Sequence, residues 1–261
     1  MPCSSIIAVG TELLHGFTVD TNSSWLAARL FRRGFAVRRI TVVGDDDAEI
    51  AGAVRADLAR VELDRIFVCG GLGPTPDDRT YAALAQALSR PLVYDRATGA
   101  QMQNLLFRRQ VAARRGTAEL NAGNRKMAMV PDGALLLRNG PGMAPGLAFP
   151  LAGDRYLIAL PGVPAELRAL VENFVEPSYL DGARTPTVAE LHYEAAPESA
   201  FHDAMHSVGT EFPDLTIGSY PQTERGELIL RVSGLDADRV RLALDALTER
   251  VSRYRPIALP T

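Results

Sequence analysis

Short apolar runs alternate with segments of helical periodicity along the first two thirds of the chain. The runs at residues 4–9, 35–43 and 66–69 are rich in Ile and Val, as buried strands are. Each is followed by a segment whose apolar residues recur at helical spacing. Strand–helix alternation places parallel strands between two helical layers. The pattern therefore predicts an α/β domain over residues 1–180, with a three-layer α/β/α arrangement and a mostly parallel sheet.

The pattern changes beyond Pro177. Residues 181–187 have the composition of a linker. The remainder alternates between strands and helices, with strands predicted at 188–193, 215–220 and 227–232 and helices at 198–208 and 237–253. This order predicts a small α+β (ferredoxin-like) domain over residues 187–255, with helices on one face of an antiparallel sheet.

A glycine-rich stretch follows the third predicted strand and precedes a helix. It contains Gly70, Gly71 and Gly73. In open α/β sheets, ligands bind at the carboxyl ends of the strands. Glycines let backbone N–H groups approach a ligand without an intervening Cβ, and a helix start attracts anions. The stretch therefore predicts a phosphate-binding loop.

The residues after these glycines have two interpretations. In the first, Thr75 is an N-cap, Pro76 opens the helix and Asp78 completes the cap. In the second, Asp77 and Asp78 hold a divalent cation that bridges them to a phosphate, because Mg²⁺ typically binds one or two carboxylates together with substrate phosphates. We favour the second interpretation, since helix capping does not explain a Gly-Gly-x-Gly turn directly before a double carboxylate.

The loops after the first three strands are expected at one edge of the sheet, because crossover connections are right-handed. Glu12, Asp45 and the Asp77–Asp78 pair should therefore share a rim. For Glu12, an exposed loop acid is an equally good interpretation. For the run 45–47, a solvated N-cap cluster is the favoured one. Pro161–Gly162 is either a turn or a ligand contact.

The segment Asn124-Arg125-Lys126 could bring positive charge to a phosphate. Its composition alone favours a solvated helix start.

Charge and composition exclude some classes of function. The net charge is −3 and the arginine doublets are scattered among acids, which argues against nucleic-acid binding. No apolar run is long enough to span a bilayer, so we expect no membrane partner. The amino end lacks a basic region and only two cysteines are present, so we expect a cytoplasmic protein.

Several motifs together resemble one family. They are Gly10-Thr11-Glu12-Leu13-Leu14, Asp20-Thr21-Asn22, Val43-Gly44-Asp45, the glycine stretch with Asp77–Asp78, Asn124-Arg125-Lys126, and Leu160-Pro161-Gly162-x-Pro164-x-Glu166-Leu167. In this order they resemble the amino-terminal domain of the competence/damage-inducible protein A (CinA) family. That domain belongs to the molybdopterin-binding superfamily, which includes molybdopterin adenylyltransferases and a domain of some FAD synthases.

The resemblance implies a molybdopterin-binding-like fold and metal-dependent hydrolysis of a nucleotide pyrophosphate such as ADP-ribose, giving AMP. The cofactor would be Mg²⁺ or a similar ion. The implied catalytic residues are Asp77 and Asp78, which would hold the metal or orient water, and Lys126, which would offset charge on the phosphoryl oxygens. The implied substrate-binding residues are Gly70, Gly71, Gly73, Thr75, Glu12, Asn22, Asn124 and Gly162.

The resemblance leaves two alternatives open: adenylyl transfer to molybdopterin, and a module that only binds a pterin or nucleotide. A homo-oligomer is also expected from the family. The sequence stops at Thr261 without the family's amidohydrolase domain, so deamidation of nicotinamide mononucleotide is not expected.

Overall fold

Strands and helices alternate along the first part of the chain in the order that the hydrophobic pattern predicts. The computed structural model describes residues 1–113 and 120–257. The chain divides into two units, Met1–Ala183 and Arg184–Thr261. The predicted helix at 96–115 is present to Ala113, and its last two residues lie outside the described part.

The first unit contains eight described strands and eight described α-helices. The strands are β1 (Cys3–Val9), β2 (Ala36–Val43), β3 (Leu63–Cys69), β4 (Leu92–Tyr94), β5 (Met129–Pro131), β6 (Leu135–Leu137), β7 (Gly146–Pro150) and β8 (Tyr156–Leu160). The helices are α1 (Thr11–Leu14), α2 (Thr21–Arg32), α3 (Asp47–Leu58), α4 (Thr80–Ala87), α5 (Arg96–Ala113), α6 (Ala122–Lys126), α7 (Pro164–Leu170) and α8 (Glu176–Tyr179). A π-helical segment, Val171–Val175, joins the last two helices.

Six strands form the central sheet, in the order β2-β1-β3-β8-β7-β6. The first four are parallel, and β7 and β6 continue the sheet antiparallel to their neighbours. This confirms the predicted mostly parallel α/β sheet. A separate antiparallel pair, β4 with β5, was not predicted from the sequence, because three-residue strands give little periodic signal.

Successive residues of the central strands pack into different layers. Ile7 and Val68 belong to the apolar cluster that α3 and α4 cover. Their neighbours Ile6 and Phe67 belong to the opposite cluster, which α2 and α7 cover. Full burial of each such side chain contributes roughly 1.5–3 kcal/mol. The sheet is therefore the middle layer of three, as predicted.

The start of α4 differs from the capping interpretation of Thr75 and Pro76. The helix begins at Thr80, whose N–H donates to the oxygen of Gly71 at 3.0 Å. The Thr80 hydroxyl donates to the oxygen of Gly70 at 2.7 Å. These contacts hold the first turn of the helix against the glycine loop. Residues 74–79 form a separate connection before it.

The second unit contains β9 (Thr187–Glu194), α9 (His202–Glu211), β10 (Thr216–Gln222), β11 (Glu227–Gly234) and α10 (Ala237–Arg250). Its sheet is antiparallel, in the order β10-β11-β9. Leu228, Leu230 and Val232 pack with residues of both helices in its apolar core. This agrees with the predicted α+β character. No helix in the described part of the chain is both long enough and apolar enough to cross a bilayer.

Candidate functional site

The carboxyl ends of β1, β2, β3 and β8 meet at one edge of the sheet, beside a cavity of about 400 Å³. Loops from all four strands line it. The lining residues from these loops are Gly10, Glu12, Asp45, Gly70, Gly71, Leu72, Gly73, Pro74, Asp77, Asp78, Pro161, Gly162, Val163 and Glu166. The predicted rim of Glu12, Asp45, Asp77 and Asp78 therefore surrounds one cavity.

The turn after β3 requires glycine at two successive positions. Gly70 has φ +114°, and a Cβ there would lie 2.2 Å from the backbone oxygen of Val9. Gly71 has φ +67°, and a Cβ there would lie 2.4 Å from the Thr80 hydroxyl. Any other residue would combine an unfavourable backbone conformation with a steric clash. The glycines thus allow β3, β1 and α4 to converge closely at the cavity.

The glycine loop also offers hydrogen-bond donors. Gly70 N–H donates to the oxygen of Leu160 at 3.0 Å, which fixes the start of the loop on β8. The following N–H groups, of Gly71, Leu72 and Gly73, make no hydrogen bond to any residue that the structure describes. Successive backbone N–H groups in a tight turn form an anion-binding concavity. The loop is therefore suited to phosphate oxygens.

Asp78 is fixed by a residue of the same connection. Its Oδ2 accepts hydrogen bonds from the Thr75 N–H at 2.8 Å and from the Thr75 hydroxyl at 2.5 Å. The carboxylate also lies against Gly73, where a Cβ would be 2.6 Å from Oδ2. Glycine at position 73 thus makes room for a carboxylate beside the loop.

Asp77 is exposed and its pKa lies below the ordinary value. The Thr75 hydroxyl is the largest cause, followed by the backbone of Asp77 itself and the positive charge of Lys126. A hydroxyl has one hydrogen to donate, and in the structure it goes to Asp78 Oδ2, so the hydroxyl stabilises Asp77 only in place of Asp78. Asp77 is therefore ionised at neutral pH and suited to an electrostatic role rather than to proton donation.

Asp45 is held by a reciprocal pair of hydrogen bonds with Thr11. Thr11 N–H donates to Asp45 Oδ2 at 2.7 Å, and Asp45 N–H donates to the Thr11 hydroxyl at 3.1 Å. The N-cap interpretation of this acidic run fits Asp46, which caps α3 through Ala48 and Glu49. It does not fit Asp45, which lines the cavity.

Four predicted site residues do not line this cavity. Thr75 contacts Asp78 without lining the cavity itself, and Asn124 is buried in α6. Lys126 donates through Nζ to the backbone oxygen of Thr75, and burial lowers its pKa, although Asp78 and Asp77 oppose this shift. Asn22 lines a second, smaller cavity of about 110 Å³, which shares Glu12 and Gly162 with the first.

Asn22 supports the loop after β8. Its Nδ2 donates to the backbone oxygen of Gly162 at 2.7 Å, which joins the start of α2 to this loop. Gly162 lines both cavities, which is the position that the ligand-contact interpretation of Pro161–Gly162 requires.

Sequence reasoning missed one wall of the cavity, formed by residues 141–144. The segment Gly140-Pro141-Gly142 has the sequence of an ordinary turn. Only its contacts with distant residues place it at the site. A buried asparagine, Asn139, was not singled out either, because its hydrogen-bond partner Glu166 is far away in the sequence.

The donor set is consistent with a hard divalent cation. Of the residues that the structure describes, five with charged side chains line the cavity, and all five are acids: Glu12, Asp45, Asp77, Asp78 and Glu166. Among the described residues, no group of three or more His, Cys, Asp or Glu side chains could hold a metal ion unaided. Mg²⁺ needs no such cage, because one or two carboxylates plus substrate phosphates suffice. Asp77 and Asp78 therefore fit as partial ligands that need phosphate oxygens to complete the site.

These features define an α/β ligand-binding domain with a glycine loop and an acidic rim. Residues 5–180 match the family model described as "Probable molybdopterin binding domain". Residues 188–256 match the model of the middle domain of FAD synthase.

Similar proteins cover both parts of the chain. A CinA-like protein of Synechococcus sp. is 34% identical over 251 residues, which are 94% of this chain but only 57% of that protein. A protein of Pyrococcus furiosus is 32% identical over 252 residues, which are 97% of this chain and 98% of that protein. The chain thus spans little more than half of the first relative and nearly all of the second.

A solved structure agrees with these similarities. The crystal structure of CinA from Thermoplasma acidophilum, a protein described as having unknown function, is 35% identical with a TM-score of 0.60. The match covers 67% of this chain and 97% of that one. The chain belongs to the family of CinA amino-terminal, molybdopterin-binding domains.

Proposed function

We propose that the cavity binds a nucleotide pyrophosphate together with a divalent cation and hydrolyses it, with ADP-ribose as the representative substrate and AMP as a product. One observation carries the proposal. The glycine loop, whose N–H groups at residues 71–73 make no hydrogen bond within the described part of the chain, lines the same cavity as the acidic rim, and neither Lys nor Arg is among the described lining residues of that cavity. Phosphates would be repelled by these carboxylates unless a cation lay between them.

The reaction is a hydrolysis at phosphorus. Water adds to one phosphorus of the pyrophosphate, and the bond from that phosphorus to the bridging oxygen breaks. The bridging oxygen leaves with the other phosphate, so ADP-ribose and water give AMP and ribose 5-phosphate. A bound divalent cation would supply neutralisation of the phosphate oxygens.

The residues of the chain have distinct roles in this proposal. The N–H groups of residues 71–73 hold phosphate oxygens. Asp78, fixed by Thr75, and the ionised Asp77 provide carboxylate oxygens at a defined place beside them. Lys126 holds the Thr75 backbone and contributes positive charge near Asp77 and Asp78.

The test is an assay of product formation by the purified full chain. ADP-ribose, ATP, FAD and NAD are each incubated with Mg²⁺, Mn²⁺ or Co²⁺, and AMP is followed by chromatography. We expect AMP from ADP-ribose only when a divalent ion is present, with a loss of at least about 100-fold in Asp78→Ala. Asp245→Ala, an exposed acid on α10, is the matched control and should retain full activity. Absence of AMP from every substrate, with a folded protein, would contradict hydrolysis.

Adenylyl transfer to a pterin is the second candidate, and the family match over residues 5–180 favours it. It predicts an AMP-linked pterin from ATP when molybdopterin is added, and no product when it is omitted. A module that only binds would show affinity for nucleotide or pterin without either product, and Asp78→Asn would then be tolerated.

A further inference from the structure

The wall formed by residues 141–144 is held by a buried asparagine. Asn139 is only 3% exposed and lies two residues after the end of β6. Its Nδ2 donates to the oxygen of Ala144 at 2.8 Å and to Glu166 Oε2 at 2.6 Å. Its Oδ1 accepts from Gly142 N–H at 2.9 Å. One hydrogen and the oxygen of this amide therefore hold the turn, and the second hydrogen ties the turn to Glu166 on α7.

Gly142 has no room for a side chain. A Cβ there would lie 2.1 Å from Glu166 Oε2 and 2.4 Å from Asn139 Nδ2. Gly140, two residues earlier, has no atom within 4 Å of the corresponding position. The close packing is thus specific to Gly142, where the turn meets the Asn139–Glu166 pair. A wall fixed in this way presents Pro141 and Met143 at a constant position.

The cavity has two chemically different kinds of lining. The glycine loop and Asp77–Asp78 supply N–H groups and carboxylates, whereas Pro141, Met143 and Ala144 supply apolar surface, as does the buried Met127. Methionine sulfur makes favourable contacts with aromatic rings, and ligand cavities combine apolar walls with few polar groups. Pyrophosphate alone would make no use of such a wall.

We propose that the turn 141–144 is the binding wall for the planar ring of the ligand, and that Asn139 and Glu166 are the positioning residues that hold it. The inference rests on the proposed placement of phosphate at the glycine loop. It does not require that the bound ligand be hydrolysed. The ring is a purine or a pterin, which share flat heteroaromatic chemistry and differ in their hydrogen-bonding edges.

Binding of ligands with and without a ring tests this assignment. Dissociation constants are measured by calorimetry in the presence of Mg²⁺ for ADP, for neopterin phosphate and for inorganic pyrophosphate. We expect Gly142→Ala to weaken binding of at least one ring-bearing ligand by about tenfold, and binding of pyrophosphate by less than about twofold. Gly140→Ala, the matched control in the same turn, should change none of the three.

The ring-bearing ligand that responds identifies the source of the ring. If only ADP is affected, the wall takes a purine, and if only neopterin phosphate is affected, it takes a pterin. Equal losses for pyrophosphate and the ring-bearing ligands, or no loss for any of them, would overturn the proposal. Failure of wild-type protein to bind pyrophosphate would instead refute the phosphate site itself.

A second variant tests the same wall in case Gly142→Ala does not fold. Met143→Ala removes apolar surface from the partly exposed wall without disturbing the Asn139 hydrogen bonds. It should weaken binding of the same ring-bearing ligand and leave binding of pyrophosphate unchanged.

Two substitutions of Glu166 test its role as a positioning residue. Glu166→Gln keeps an oxygen that can accept from Asn139 and should therefore retain more affinity for the ring-bearing ligand than Glu166→Ala. If Glu166 acted only through its charge in the cavity, the two variants would lose the same affinity.

Discussion

Lys126 donates a hydrogen bond from its ammonium group to the backbone oxygen of Thr75, which ties α6 to the connection between the glycine loop and α4. The same helix packs closely on this connection at Gly123, where a Cβ would lie 2.7 Å from the oxygen of Pro74. Lys126 therefore holds the backbone of the connection that carries Asp77 and Asp78. We interpret it as a positioning residue.

Replacing Lys126 by methionine keeps the apolar stem and removes the donor. We expect the free energy of unfolding to fall by about 1 kcal/mol, the typical net value of one hydrogen bond. We expect turnover of ADP-ribose to fall by roughly tenfold, since each tenfold corresponds to about 1.4 kcal/mol of transition-state stabilisation. Urea denaturation and AMP release measure the two effects.

Arg125→Met is the matched control, because Arg125 is exposed on the same helix and its guanidinium donates to the Leu120 oxygen instead of to Thr75. It should leave turnover unchanged. Equal losses of turnover in the two variants would contradict a specific role for the contact between Lys126 and Thr75.

The backbone conformation of Gly70 predicts how much stability a substitution there would cost. Gly70→Ala would combine φ +114° with a Cβ 2.2 Å from the Val9 oxygen. We expect a loss of about 3 kcal/mol or more, because backbone strain and a steric clash with buried backbone act together. Urea denaturation measures it.

Gly52→Ala is the control for Gly70→Ala. Gly52 lies within α3, and no atom is within 4 Å of the position of its Cβ. Alanine there should stabilise the protein by roughly 0.5–1 kcal/mol. If both variants shifted stability in the same direction, the close approach of the glycine loop to β1 would be in doubt.

The architecture and the place of the glycine loop at the cavity were predictable from the sequence because both depend on local signals. Burial of β1 and β3 on both faces follows from their continuous apolar runs, and the place of the glycine loop follows from the strand before it. The start of α4 could not be predicted from capping preferences. It depends on the hydrogen bond from the Thr80 hydroxyl to Gly70, which forms only once the loop has folded back.

The contacts that hold Asp45 and Asn139 were hidden for a similar reason. The sequence placed Asp45 on the rim but favoured an N-cap cluster for its side chain, and only its hydrogen bond with Thr11, 34 residues away, sets it apart from Asp46. Asn139 acts through Glu166, 27 residues away. A single sequence carries no signal that links such pairs, whereas Asp77 and Asp78 stand directly beside the glycines.

The lowered pKa of Asp77 predicts a pH dependence of stability. A carboxyl whose pKa is lower in the folded than in the unfolded protein stabilises the fold when the pH is above the unfolded value. This contribution should be present above the ordinary pKa of 3.8 and lost as the pH falls through the lower folded value. Asp77→Asn removes it.

Urea denaturation of wild type and Asp77→Asn between pH 2.5 and pH 6, with no divalent ion present, tests this expectation. The difference in unfolding free energy between the two proteins should shrink at the acidic end of the range. A difference that stays constant with pH would show that the Thr75 hydroxyl and Lys126 do not act on this carboxyl.

Thr75 offers a final test of how Asp78 is held. Thr75→Val preserves side-chain shape but removes the hydroxyl that donates to Asp78 Oδ2, leaving only the backbone N–H contact. Hydrogen bonds to charged groups contribute about 1.5–3 kcal/mol, so the Mg²⁺ concentration for half-maximal AMP release should rise by roughly tenfold. Thr75→Ser keeps the hydroxyl and should behave like wild type. If valine and serine gave the same Mg²⁺ dependence, Asp78 would not depend on this hydroxyl for its position, and its carboxylate would have to be placed by the backbone and by contact with Gly73 alone.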